Sequence, residues 1–254
     1  MRVCTNTGLA LVDGPRTGYR IAKVSYGPVN PLERSADPGE DRSRWSRFDT
    51  PGRTIYLADS RRVAFAETLS VARISADFRS AVDFAARHFE MSQQQAWKEI
   101  EDDWIRNGHM TPGSVPAGWR DDHLIYQLSI TSPAPWVDLT ATESLAAVSV
   151  ALGQDLRSVH GVDLLTLGTL TGEDRQVTSV IAEWIRNQIV DDGSYPAGVK
   201  FHSKLGGGAC WAFWMRRTDD GLGDDPVEIV SEQHILQHDT DMKYVLGLYG
   251  ARCH

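Results

Sequence analysis

Arg20, Arg47, Tyr56, Glu67 and Ser203 are polar residues on segments that otherwise read as core elements. Their types suit a phosphorylated ligand that carries a sugar ring. Arginine forks can hold a pyrophosphate through paired N–H donors. A tyrosine can stack on a ring. A desolvated glutamate can accept from ribose hydroxyls and stabilise an oxocarbenium-like centre. Read singly, each arginine is more readily a surface or loop-anchoring residue, and Ser203 is a structural serine on a late strand.

Glu67 sets the problem. Thr54 to Ala58 reads as a short buried strand, Asp59-Ser60 as a turn, and the chain from about Arg61 as a helix with Ser60 as its N-cap. Val63, Ala64, Phe65 and Ala66 precede Glu67, and Leu69, Val71 and Ala72 follow it. Apolar residues on nearly every side predict a largely buried helix. A carboxylate there loses hydration at a cost of roughly several kcal/mol unless it is paired or hydrogen-bonded. Glu67 therefore has a structural partner or lines a polar cavity.

The bulk numbers bound the rest. The 254 residues suit one large domain or two small ones. A composition of 41% hydrophobic and 24% charged residues is that of a globular protein. The net charge of −8 argues against a general nucleic-acid surface but leaves room for a local basic pocket. No secretory leader and no membrane-length apolar run is read in the chain. Cys4, Cys210 and Cys253 are isolated, which fits a reducing cytoplasm and gives no zinc signature.

Familiar motifs fail on inspection. Gly206-Gly207-Gly208 lacks the following Lys-Ser/Thr of a P-loop and reads as a hairpin tip. Gly221-Leu222-Gly223 lacks the third glycine and helix of a dinucleotide fingerprint. His234 and His238 have no third ligand placed by spacing, so no metal is expected. His202 and Ser203, adjacent on a strand, point to opposite faces and do not pair as base and nucleophile. The acidic loop 219–225 reads as solvated.

Along the chain, residues 19–26 read as a strand and 28–49 as a long polar loop. Two helical patterns follow, around Val82–Phe89 and Trp97–Ile105, with Ser92 and Gln95 as a capping box between them. Residues 75–121 form a helical insertion too short for its own core. Residues 123–130 and 135–139 read as strands and 142–152 as a helix. Residues 162–167 fit either state. Thr171 caps a helix running to about Gln188. Residues 198–203, 209–215, 227–235 and 244–249 read as strands. Strands and helices mix without a βαβ rhythm, so the fold class is α+β.

The ordered set Tyr19-Arg20, RFDTPGRTIYLADS (47–60), AFAETL (64–69) and GVKFHSKLGGGACWAF (198–213) resembles the RES domain family, named for its Arg, Glu and Ser. WVDLT (136–140) and the helix after it resemble that family's middle section. The likeness spans most of residues 1–254 outside 75–121 and the C-terminal tail, so one RES-type domain is expected.

The resemblance implies an ADP-ribosyltransferase-like fold with mixed and antiparallel sheets and flanking helices. It implies degradation of NAD+ as substrate, by phosphorolysis with inorganic phosphate as co-substrate or by hydrolysis, with no permanently bound cofactor. It also implies a toxin role beside an Xre-type antitoxin. Carried over, Arg20 and Arg47 contact phosphates, Tyr56 stacks on nicotinamide or its ribose, Glu67 binds the ribose hydroxyls and supports cleavage, and Ser203 positions the nicotinamide side. Ile21 stands where some members carry a second tyrosine. Protein ADP-ribosyl transfer and a non-catalytic binding module on the same fold stay open. The insertion is open to use as a lid, a homodimer surface or an antitoxin contact.

Overall fold

The structure, a computed structural model, describes residues 1–37 and 39–253. The strands are β1 Arg2–Val3, β2 Ala10–Val12, β3 Thr17–Lys23, β4 Thr54–Ala58, β5 Ser114–Val115, β6 His123–Ile130, β7 Trp136–Asp138, β8 Gly198–His202, β9 Ala209–Trp214, β10 Val227–His234 and β11 Arg252–Cys253. The helices are α1 Arg61–Thr68, α2 Ala76–His88, α3 Gln93–Arg106, α4 Ala117–Asp122, α5 Thr142–His160, α6 Leu167–Thr171, α7 Arg175–Arg186, α8 Arg216–Asp219 and α9 Thr240–Tyr249. The class is mixed α+β.

Nine strands form one sheet in the order β1-β2-β7-β8-β9-β4-β3-β6-β10. Within this sheet, among the described residues, β7 and β8 are the one parallel pair, because the helices α5 to α7 intervene between them. The small strands β5 and β11 pair separately and tie the end of the insertion to the chain terminus. Alternation along β4 divides the core. Tyr56 and Ala58 face the cluster built with Val148, Val177, Ile181 and Ile185, while Ile55 and Leu57 face Leu128, Trp136 and Phe213. No helix among the described residues is long and apolar enough to cross a membrane.

Helix α1 has the expected start: the Ser60 hydroxyl accepts from the Val63 amide at 3.3 Å. Its Val63 and Ala64 join one core cluster, and its Phe65 and Ala66, with Leu69 just past its end, join another, so the helix is wedged between two packed layers. The second layer is completed by α9, whose Tyr249 hydroxyl donates to the Ala66 carbonyl at 2.9 Å.

Several expectations are corrected here. Residues 244–249 are helix α9, not a strand. Asp239 caps it by accepting from the amides of Asp241 and Met242, and Met242, Val245, Leu246 and Tyr249 bury one helical face. Asp174, not Thr171, caps α7, and Thr171 closes the short helix α6. Residues 162–166 adopt neither helix nor strand. Helix α5 runs on to His160, where Gly161 takes the left-handed conformation that ends it. Asp219 is not solvated: it accepts from the Arg53 amide at 3.0 Å and pairs with Arg186 at 2.8 Å.

Within residues 75–121, Ser92 and Gln95 form the capping box of α3. Helices α2 and α3 enclose a small cluster of Val82, Ala86 and Ala96, with Phe78 edge-on to Trp97 at 5.3 Å.

Candidate functional site

The site exists because two neighbouring strands part. Strand β3 pairs with β6 along seven residues and β4 pairs with β9 along five. Between themselves, β3 and β4 share only the Tyr19–Ala58 pair. Beyond it they diverge, and the Arg20 guanidinium donates at 3.3 Å to the Tyr56 carbonyl that the missing ladder leaves free. A cavity of about 840 Å³ opens there, floored by β3, β4 and α1 and rimmed by the loop carrying Trp45–Arg47, the start of α7 and the β8–β9 turn.

Glu67 lies on this cavity and is half-buried. It makes no ion pair among the described residues. Among the described residues its side chain is held by the Ser203 hydroxyl, which donates to Oε1 at 2.6 Å. The sequence left a structural partner or a polar cavity as alternatives for Glu67, and both are present. A structural carboxylate ordinarily pairs with a cation; this one faces open space on one side and a neutral hydroxyl on the other.

Ser203 is placed differently from the expectation. Strand β8 ends at His202, so Ser203 opens the turn rather than closing the strand. It is 6% exposed and does not line the cavity. Its oxygen accepts from the amides of Leu205 at 3.1 Å and Gly206 at 2.8 Å, which turns its proton toward Glu67. Ser203 thus braces the carboxylate from behind.

Arg47 is 7% exposed and its side chain makes no hydrogen bond or ion pair among the described residues. Its guanidinium carbon lies 6.0 Å from the rings of Phe48 and Phe201. Burial pulls its pKa down, with Glu67 partly opposing the shift. Burial likewise lowers Arg20 to about 10. The Nε atoms of both arginines are buried without an acceptor. Two desolvated cations with so few acceptors are costly in an empty cavity, and an anion placed between them offsets that cost.

Tyr56 gives its ring to the cavity wall and keeps its hydroxyl out of it. The hydroxyl donates to Asp49 Oδ1 at 2.9 Å and accepts from the Phe48 amide at 2.9 Å. Burial and the neighbouring Asp49 push its pKa well up, so it stays a neutral donor. The ring is edge-on to Phe201 at 6.4 Å. Stacking remains open to Tyr56, whereas proton transfer by its hydroxyl does not.

Arg73, Arg175 and Lys204 also line the cavity, with Glu173 between the last two. Glu173 pairs with Arg175 at 2.9 Å and with Lys204. The lining therefore holds five cationic side chains against two carboxylates, inside a chain whose net charge is −8. Cys210 also lines the wall, but burial and the nearby Glu67 push its thiol up, so it is no nucleophile at neutral pH.

No protein-family model matches the chain, and no curated relative does either. A solved structure, the crystal structure of the M. tuberculosis MbcT–MbcA toxin–antitoxin complex, is similar with a TM-score of 0.46 and 14% sequence identity. That match covers 94% of this chain and 90% of the other. So loose a likeness decides nothing about fold, chemistry or partners.

Of the five residues singled out from the sequence, Arg20, Arg47, Tyr56 and Glu67 share one cavity, and Ser203 touches it only through Glu67. Trp45, Arg73, Arg175 and Lys204 were missed. Lys204 follows Ser203 directly, and Arg175 opens a helix behind a readable Asp cap, so both had a local signal. Trp45 and Arg73 had none.

Proposed function

We propose that the protein cleaves the bond between nicotinamide and ribose in NAD+. What supports this reading is one juxtaposition: an ion-pair-free carboxylate, Glu67, in the same cavity as the desolvated arginines 20 and 47. The arginines suit the pyrophosphate, whose negative charge their burial calls for. Glu67 suits the sugar, where positive charge develops. The likeness of these segments to the RES domain points the same way.

In the reaction, the N-glycosidic bond breaks and nicotinamide leaves as a neutral molecule with the bonding electron pair. The ribose carbon becomes oxocarbenium-like, and Glu67 stabilises it while holding the ribose hydroxyls. Ser203 keeps the carboxylate aimed. Phosphate then attacks to give ADP-ribose 1″-phosphate, or water attacks to give ADP-ribose and a proton. The cationic lining would admit phosphate as readily as the dinucleotide. Arg47 neutralises phosphate charge in either case. An Xre-type antitoxin as partner belongs to this proposal through the sequence likeness alone.

The test is NAD+ consumption by purified protein with and without phosphate, beside Glu67→Ala and Arg47→Ala. Wild type should consume NAD+ and both variants should lose most of the activity. If all three behave alike, the assignment is lost. Labelled NAD+ in cell extract separates the nearest rival, since label on a protein band means ADP-ribosyl transfer.

A further inference from the structure

Arg47 faces the cavity without any side-chain bond of its own among the described residues, so something else must fix where its charge sits. The backbone around it is clamped on both sides. The Asp49 carboxylate, 4% exposed, accepts from the Ser46 amide at 2.9 Å, from Arg34 Nε at 2.8 Å and from the Tyr56 hydroxyl at 2.9 Å. That same hydroxyl accepts from the Phe48 amide at 2.9 Å. The Asp49 amide closes the turn by donating to the Ser46 carbonyl at 3.1 Å. Residues 46, 48 and 49 are thus each tied down, and residue 47 between them is the one left pointing inward.

We propose that Asp49 is a positioning residue: through the clamp on residues 46–49 it presets the Arg47 guanidinium to receive a pyrophosphate or phosphate anion. This rests on the reading of the cavity given above, and it adds a residue that touches no ligand. The chemistry calls for a carboxylate at position 49. Arg34 Nε and the Ser46 amide share Oδ2 while the Tyr56 hydroxyl takes Oδ1. An asparagine that keeps its one oxygen on the first two turns its amide on the Tyr56 hydroxyl, which already accepts from the Phe48 amide and loses the acceptor for its own proton. An isosteric Asp49→Asn change therefore loosens the turn without opening a hole. Tyr56 couples the two arginines, since its hydroxyl holds the Arg47 turn and its carbonyl holds Arg20.

A double-mutant cycle tests this. Wild type, Asp49→Asn, Arg47→Ala and the double variant are compared in NAD+ turnover, and in calorimetric binding of inorganic pyrophosphate and, separately, inorganic phosphate. If Asp49 acts through Arg47, Asp49→Asn raises KM for NAD+ and weakens pyrophosphate binding about tenfold, the size of one misplaced charge-assisted hydrogen bond, with kcat within about twofold. In the Arg47→Ala background the same change has less than about a twofold effect. Effects that multiply across the two positions, or a wild type that binds neither anion, overturn the proposal. A purely structural Asp49 would lower the melting temperature equally in both backgrounds and leave KM alone, which also overturns it. Should Asp49→Asn fail to fold, Tyr56→Phe removes the bridging hydroxyl and carries the same cycle. Loss of NAD+ turnover in wild type with the anion cycle intact would sink the proposed reaction and leave the positioning role standing. Weaker pyrophosphate binding with unchanged phosphate binding places Arg47 on the dinucleotide, and the reverse places it on the incoming phosphate.

Discussion

Ser203 and Glu67 show how a single hydroxyl can hold a cavity carboxylate in place. The serine spends its lone pairs on two backbone amides and its proton on the carboxylate. Replacing it with alanine strands those two amides and frees Glu67 to rotate. Ser203→Ala should cost about 1–3 kcal/mol of stability, the usual loss for unsatisfied buried donors. Its turnover of NAD+ should fall about tenfold, less than for loss of Glu67 itself. Thermal denaturation and a turnover assay read the two effects, and a variant matching wild type in both would mean that the hydrogen bond does no aiming. Sequence alone exposed the residue type here but not the role. Ser203 reads as a strand serine until its turn is seen to fold back over α1, and that contact spans 136 residues of chain.

At the scale of elements, the site depends on α1 lying close beneath the β8–β9 turn. A Cβ at Gly208 would stand 2.6 Å from Asp59 Oδ1 and from Val63 Cγ2, so only glycine lets the turn settle there. Gly208→Ala should lift the turn, destabilise the protein by about 1–3 kcal/mol as overpacking does, and weaken turnover with it. Equal stability and activity in that variant would show that the close packing is dispensable. The strand–turn–helix from Thr54 to Thr68 was legible because its signals are local: an apolar run, a Ser cap and an apolar helix. The segment 244–249 was misread because a short apolar run of Tyr, Val and Leu suits either state. Its Asp239 cap, five residues upstream, was the cue that decides it. The parting of β3 from β4 had no local signature at all, because it is a failure of pairing between strands more than thirty residues apart. Hence the arginines and Glu67 could be singled out, while their shared cavity and the lining residues Trp45 and Arg73 could not.

The whole molecule is acidic, yet it concentrates five cationic side chains on one hollow. Like charges gathered on one hollow repel one another, and an anion bound among them would offset that repulsion. Ligands that bind only the folded state stabilise it by mass action, about 2.7 kcal/mol at a hundred times Kd. For a chain of 254 residues this is a rise of about 5 °C or more in melting temperature. ADP-ribose should produce that rise in wild type and little of it in Arg47→Ala; an equal rise in both would place the anion elsewhere. The decisive measurement is nicotinamide release from NAD+ by wild type and by Glu67→Gln, a change that keeps shape and the Ser203 contact but removes the charge. The charge on Glu67 predicts release by wild type and a loss of about a hundredfold or more in the variant, the scale of removing one group aimed at a transition-state charge. Release at the same rate by both proteins would contradict it.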